Sequence, residues 1–306
     1  MIHHRRLLAP SLIPLCLLAL PLPAAAQSCP EAIAALRAAL PVAPLAEVVR
    51  IQRSQVEPAC IVPQAAAGAR GVALRHLKEA QRLSTPTERI ALLREGLRFS
   101  AEPWQVHDAL GDALQAVGDF AGATLHYQLA MNAERDLAPG LAEPGRPATQ
   151  ALIAKAQQAR MLSSAVVPLP PTRDGTPGGL GLRSLRGVAV EDVAQPIHFL
   201  TDSDQLTPEG MAAIRQVQEL LRTEGNPPIT LVGHTDERGD DAHNDTLSLR
   251  RAQRVAAILN EGARYGSPIR VEGRGKRQPL RIVPVEGVTY TQVQRWQLDR
   301  RVELVR

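Results

Sequence analysis

Asp236 and Arg251 are the residues whose types and placement most suggest chemistry. Arg251 falls in a segment where Leu247, Val255 and Leu259 mark the apolar stripe of a helix, four residues from both Leu247 and Val255. A guanidinium on an inward face stays charged, and leaving it unpaired away from water is costly. Oxygen atoms must therefore meet it, best a carboxylate that accepts both arms of the fork. Asp236 ends the run Gly233-His234-Thr235-Asp236 directly after a short apolar strand, and is the leading partner within the chain. The carboxyl ends of strands in α/β sheets are also where ligands bind. Gly239 lets the intervening loop turn, and Asn244 suits the cap of the next helix, which leaves backbone N–H groups for an anion. Two uses fit the pair equally: an internal bridge fixing loop to helix, or an acid and a base held apart to grip the two ends of a zwitterion.

Other chemistries are weaker. His234, Asp236 and His243 could be taken for a metal cluster and hence for a metal-dependent hydrolase, but spacing alone supplies no ligand geometry. His234 is more simply a polar residue ending its strand. Ser248 has no base at a nucleophile-like spacing. The expectation is a binding protein, not an enzyme, with no cofactor and no metal.

The elements that must position the pair follow from the changing period of the sequence. Ile197-His198-Phe199 reads as a short strand, and Thr207 to Arg222 as a helix with Met211, Ile214, Val217 and Leu221 on one face. Ile229 to Val232 reads as a covered strand, Asn244 to Asn260 as a second helix, and Ile269 to Val271 and Val302 to Val305 as further strands. Strands alternating with helices predict a small α/β sandwich with a mixed sheet over residues 189–306.

Upstream the pattern is helical. Val106, Ala109, Leu110, Ala113 and Val117 recur along one face, then Phe120, Ala123, Tyr127, Ala130 and Met131 along another, joined at Gly118-Asp119. Glycine there can take the backbone angles of a tight turn, so the pair is an antiparallel helical hairpin. Residues 69–163 form this helical domain, with further helices at Glu88 to Phe99 and Ala148 to Met161. Residues 164–188 are dense in Pro and Gly and read as a linker, beyond which the C-terminal domain moves relative to the helices. Residues 27–68 are Ala- and Pro-rich and weakly specified.

The compartment is legible at the start. His3-His4-Arg5-Arg6, an apolar run from Leu7 to Pro23 and then Ala24-Ala25-Ala26 make a signal peptide over 1–26, whose prolines suit a membrane span poorly. Its removal takes Cys16 and leaves Cys29 and Cys60 to form one disulfide in an oxidising space. Aromatic residues make up 3% of the chain, too few for the girdles of an outer-membrane barrel. The net charge of +4 is spread over 35 basic and 31 acidic residues, which does not suggest a nucleic-acid partner.

Two resemblances add to this. Leu110-Gly111, Gly118, Phe120, Ala123, Tyr127 and Ala130 are similar to one tetratricopeptide (TPR) unit over about residues 104–137, which implies a stacked helical repeat and a protein partner from the envelope. GHTDERG at 233–239 is followed by Asn244, Leu247-Ser248, Arg251-Ala252 and Val255, then Gly273-Arg274-Gly275, Pro279 and Arg300-Arg301-Val302-Glu303. With Ile197, Phe199, Asp202, Ser203 and Leu206, this series resembles the OmpA-like peptidoglycan-binding domain. The resemblance departs at Leu200, where many members carry a small or acidic residue, and at Asp299, which replaces the usual asparagine. It also leaves residues 281–297 as an extension beyond the family core.

The resemblance, not the spacing, chooses the clamp. It implies that Asp236 and Arg251 hold the ammonium and carboxylate of meso-diaminopimelate in a peptidoglycan stem peptide. Phe199, Leu200, Thr201, Asp202, Thr235, Asn244 and Leu247 would line the pocket. The implied setting is the periplasm, against the wall and at or near the outer membrane. The expected architecture is α+β, a TPR-like all-α domain followed by an OmpA-like sandwich. The alternative function is a scaffold for an envelope or secretion assembly, acting mainly through the helical region.

Overall fold

The computed structural model describes residues 27–135, 147–163, 192–195, 197–261 and 265–305. The expected signal peptide and linker lie outside the described residues.

The N-terminal half is helical. It runs α1 (Cys29–Ala39), α2 (Leu45–Ile51), a π-helical turn (Gln52–Val56), α3 (Glu57–Ala59) and α4 (Val62–Ala80). Then follow α5 (Pro86–Phe99), α6 (Trp104–Ala116), α7 (Phe120–Arg135) and α8 (Pro147–Leu162). Residues 27–68 are thus not weakly specified. They fold into helices around Ala32, Leu36, Val48, Ile51, Val56 and Val72, closed by the Cys29–Cys60 disulfide. Three of the prolines that obscure this, Pro30, Pro44 and Pro63, occupy helix starts, where the missing N–H has no intrahelical partner to lose. Helix α4 crosses the expected boundary near residue 68.

The hairpin α6–α7 forms as its periodicity predicts. Gly118 turns at φ 81°, Asp119 Oδ1 accepts from the Gly122 N–H, and Leu110, Ala113, Ala123, Tyr127 and Ala130 share a core with Leu93 of α5 and Leu152 and Ala156 of α8. Gly111 is needed here, because a Cβ would meet the Tyr127 ring at 2.5 Å. Inside the hairpin the imidazoles of His107 and His126 stack, with their Nδ1 atoms 3.0 Å apart. Burial lowers the pKa of both, that of His126 to about 4 with a further push from His107. Between that value and the ordinary histidine value of about 6.5, the unfolded chain binds more protons than the folded one, so stability falls as pH falls. The melting temperature is expected to drop progressively from pH 6.5 to pH 4, and a His126→Gln variant to flatten that slope. An equal slope in the variant would assign the acid lability elsewhere.

The C-terminal half has β1 (Asp192–Gln195), α9 (Pro208–Thr223), β2 (Ile229–Gly233), α10 (Asp241–Leu259), β3 (Ile269–Gly273), α11 (Gln292–Asp299) and β4 (Val302–Val305). The sheet order is β1-β4-β2-β3, with β2 and β3 parallel and β4 antiparallel to both β1 and β2. Ile197-His198-Phe199 is not the opening strand. It enters a loop closed by a single bridge from Phe199 to Leu206, and the strand that pairs with β4 lies just upstream. Ile214, Val217 and Leu221 of α9 and Ala252, Val255 and Leu259 of α10 pack with Ile229, Leu231, Val302 and Leu304. Helix α10 lies very close to the sheet at Gly233 and Gly273, paired neighbours on β2 and β3. A Cβ on Gly233 would collide with the Ser248 carbonyl, and one on Gly273 would lie 2.6 Å from Leu249 N.

The linker predicts halves that move relative to one another; in the structure the two halves are in contact. The extension from Leu280 to Leu298 docks on the helical layer: Tyr290 and Leu298 share a core with Met161 and Leu162 of α8, with Phe120, Leu280, Ile282 and Val288 packed against it. Gln158 donates to the Val283 carbonyl and accepts from its N–H, and the Tyr290 hydroxyl accepts from the amides of Gln115 and Gln158. Arg89 pairs with Glu286 at 3.0 Å, and Gln297 donates to the Met161 carbonyl. The Asp299 carboxylate holds the start of the extension through the Leu280 N–H at 2.7 Å.

Candidate functional site

A cleft opens at the carboxyl end of β2, between the loop after Phe199, the β2–α10 loop, the first turns of α10 and Arg300 before β4. Thr201, Asp202, Thr235, Asp236, Asn244, Leu247 and Arg251 line it. Phe199 and Leu200 do not. The Phe199 ring lies under the Arg251 guanidinium, 5.0 Å from its centroid, and Leu200 is an exposed side chain whose carbonyl is 3.5 Å from Arg251 Nη2.

Arg251 is the least expected side chain of the domain, 1% exposed on a helix otherwise buried through Leu247, Ala252, Val255, Ile258 and Leu259. Its Nε donates to the Ser203 carbonyl at 3.0 Å. The internal bridge to Asp236 does not form, and among the described residues no carboxylate lies within ion-pair distance of Arg251. Backbone carbonyls and an aromatic face hold the cation in place without neutralising it. Burial, and then the nearby charge of Arg300, lower its pKa to about 10.

Asp236, 6% exposed, is met by other arginines. Its Oδ1 accepts from the Arg238 N–H and Nε at 3.1 and 3.0 Å, and its Oδ2 from Arg238 Nη2 and Arg300 Nη1, both at 2.8 Å. Burial alone would raise the pKa of this carboxyl, yet the hydrogen bonds from Arg238 and Arg300 hold it at about 2. The Arg238 guanidinium also lies over the Trp296 ring at 4.3 Å, while Glu237 accepts from Trp296 Nε1 and Gln292 Nε2. Helix α11 therefore supports the loop that carries Asp236.

Asn244 does not cap the helix. Asp240 does, accepting from the His243 N–H at 2.8 Å, and α10 begins three residues earlier than its apolar pattern indicates. Asn244 is buried instead and donates to the Arg238 carbonyl, fixing the loop at Gly239, whose φ is 82°. Thr235 Oγ1 is buried with no partner among the described residues. Asp202, at φ 52°, faces His243 Nε2 at 2.6 Å, whereas His234, buried just past the end of β2, has its Nε2 3.1 Å from Glu303 Oε2. The two histidines are thus engaged in different places, and among the described residues no group of three His, Cys, Asp or Glu could hold a metal ion.

The pocket residues missed in the sequence are Arg238, Gly239, His243 and Arg300. All four stand in or beside the quoted motifs. What no spacing rule shows is that Arg300 returns beside Asp236 through the antiparallel pairing of β4 with β2.

The sequence model of the OmpA family matches residues 198–284. The outer-membrane lipoprotein YfiB of Pseudomonas aeruginosa is 31% identical over 88 residues, 29% of this chain and 52% of that protein. The peptidoglycan-associated lipoprotein of Legionella pneumophila is 35% identical over 81 residues, 26% of this chain and 46% of that protein. That of Pseudomonas aeruginosa is 34% identical over 107 residues, 35% of this chain and 59% of that protein. The chain thus spans about half the length of the curated relatives it matches. Among solved structures, the peptidoglycan-associated lipoprotein of Burkholderia pseudomallei is 24% identical, covering 39% of this chain and 91% of that one at a TM-score of 0.29. Residues 198–284, which include Asp236 and Arg251 while Arg300 lies beyond them, form a domain of the OmpA family that follows a helical region outside the match.

Proposed function

We propose that the C-terminal domain binds peptidoglycan non-covalently by taking the side-chain end of a meso-diaminopimelate residue into the Asp236–Arg251 pocket. The observation that carries this reading is Arg251, a buried guanidinium at the cleft with no carboxylate to neutralise it among the described residues. A ligand carboxylate would complete it. A ligand ammonium would meet Asp236, and Thr235 Oγ1 offers a further hydrogen bond. The Legionella pneumophila and Pseudomonas aeruginosa relatives named as peptidoglycan-associated lipoproteins both support the same ligand class.

In this reading the chain is exported by its first 26 residues and works in the periplasm, held at the wall. The helical region, as a TPR-like module, would be the part that meets an envelope protein, and the wall-bound domain its tether. The docked extension fixes how the tether presents that module.

Lysine-type stem peptides test the proposal, because lysine keeps the side-chain ammonium and lacks the carboxylate. Losing one partner of a buried charge pair costs about 2 kcal/mol or more, so the lysine peptide is expected to bind about 30-fold or more weakly by titration calorimetry. Equal affinities for the two peptides would contradict the role given to Arg251.

A further inference from the structure

The pocket holds more positive charge than a simple zwitterion needs. Arg238, Arg251 and Arg300 line it against Asp202 and Asp236, and Asp202 is engaged by His243. Asp236 is also saturated. A carboxylate offers about four acceptor sites. Arg238 fills three of those on Asp236 and Arg300 the fourth. An ammonium can reach Asp236 only when a guanidinium leaves. Arg238 is the better placed to do so: its side chain is 48% exposed, against 29% for Arg300, and its guanidinium already lies over the Trp296 ring, a face that can retain it once Asp236 is given up.

Resting on the pocket reading above, we infer that Arg238 is a displaceable guanidinium which yields Asp236 to the ligand's ammonium and takes up a second ligand carboxylate. The pocket then selects a ligand with one free ammonium flanked by two carboxylates, not a bare zwitterion. In peptidoglycan this chemistry belongs to a stem whose diaminopimelate amine is not cross-linked and whose peptide ends nearby in a free carboxylate. A stem acylated on that amine has no ammonium to exchange for Arg238 and would leave Asp236 with its internal partners. Asp236 and Arg251 identify the residue; Arg238 reads whether the chain stops beside it.

The test titrates the whole mature chain with a synthetic diaminopimelate tripeptide stem, its C-terminal carboxylate either free or amidated, using wild type, Arg238→Ala and Arg238→Lys. Wild type is expected to prefer the free acid about tenfold, the scale of one charge-assisted contact. In Arg238→Ala that preference should vanish, while the amide binds at least as tightly as to wild type because the competitor for Asp236 is gone. Arg238→Lys, charged but unable to form the fork, should recover part of the preference. A tenfold preference persisting in Arg238→Ala would overturn the inference, as would an equal loss of affinity for both peptides, which marks a merely structural arginine. An unchanged melting temperature shows that each variant is folded. If neither peptide binds wild type, the pocket reading itself fails and this inference falls with it; if both bind without the coupling, only the inference fails.

Discussion

Substituting methionine for Arg251 is expected to weaken binding of a diaminopimelate peptide about 30-fold or more while leaving the melting temperature of the chain unchanged or higher. Removing a buried charge usually destabilises because it strands a partner charge. Here no carboxylate would be stranded among the described residues, and the groups released are the Ser203 and Leu200 carbonyls on a loop at the cleft. Methionine is unbranched and flexible enough to fill the space over Phe199. Burial opposes the charged form of this arginine, so replacing it relieves a desolvation cost. Calorimetric scanning and peptide titration on the same variant check both halves. A melting temperature that falls in step with affinity would make Arg251 a structural residue.

Gly233→Ala is expected to act at the opposite level, on the scaffold. The new Cβ would be driven into the Ser248 carbonyl, which is backbone within α10 and cannot swing aside as a side chain could. Nor can the strand retreat easily, since Gly233 pairs with Gly273 on β3 and Val302 on β4. Helix and sheet must separate, at a cost of about 3 kcal/mol. The denaturant midpoint should fall accordingly. Binding should suffer even under native conditions, because α10 carries Arg251 and the strand carries its loop to Asp236. An unchanged midpoint would mean that helix and sheet are less closely packed than the structure shows.

Arg251 and Asp236 also show what the sequence could and could not disclose. Arg251 on an inward face was legible because helical periodicity reports direction. Its neighbours were not, because carbonyl groups from a loop leave no signature in residue type. Asp236 was legible as a strand-end acid, but its capture by Arg300 required the pairing of β4 with β2, and by Arg238 the loop geometry around Gly239. Asn244 was read as a cap because the apolar stripe becomes visible only at Leu247; the polar first turn, capped by Asp240, carries no hydrophobic signal. The helices before residue 69 are masked by prolines, three of which, Pro30, Pro44 and Pro63, stand at helix starts. The docking of residues 280–298 rests on pairings more than a hundred residues apart, such as Gln158 with Val283, which no local pattern announces. By contrast the α6–α7 hairpin, the strands at 229, 269 and 302 and the disulfide were all readable, since each is fixed by local period, a glycine turn or a count of two cysteines.

Co-sedimentation of residues 27–306 with purified diaminopimelate-type sacculi, comparing wild type with Asp236→Ala and Arg251→Ala, is the most direct test of wall binding by this pocket. Wild type is expected to pellet with the sacculi and both variants, folded by circular dichroism, to remain largely in the supernatant. Equal pelleting of all three folded proteins would show that this pocket does not hold the wall.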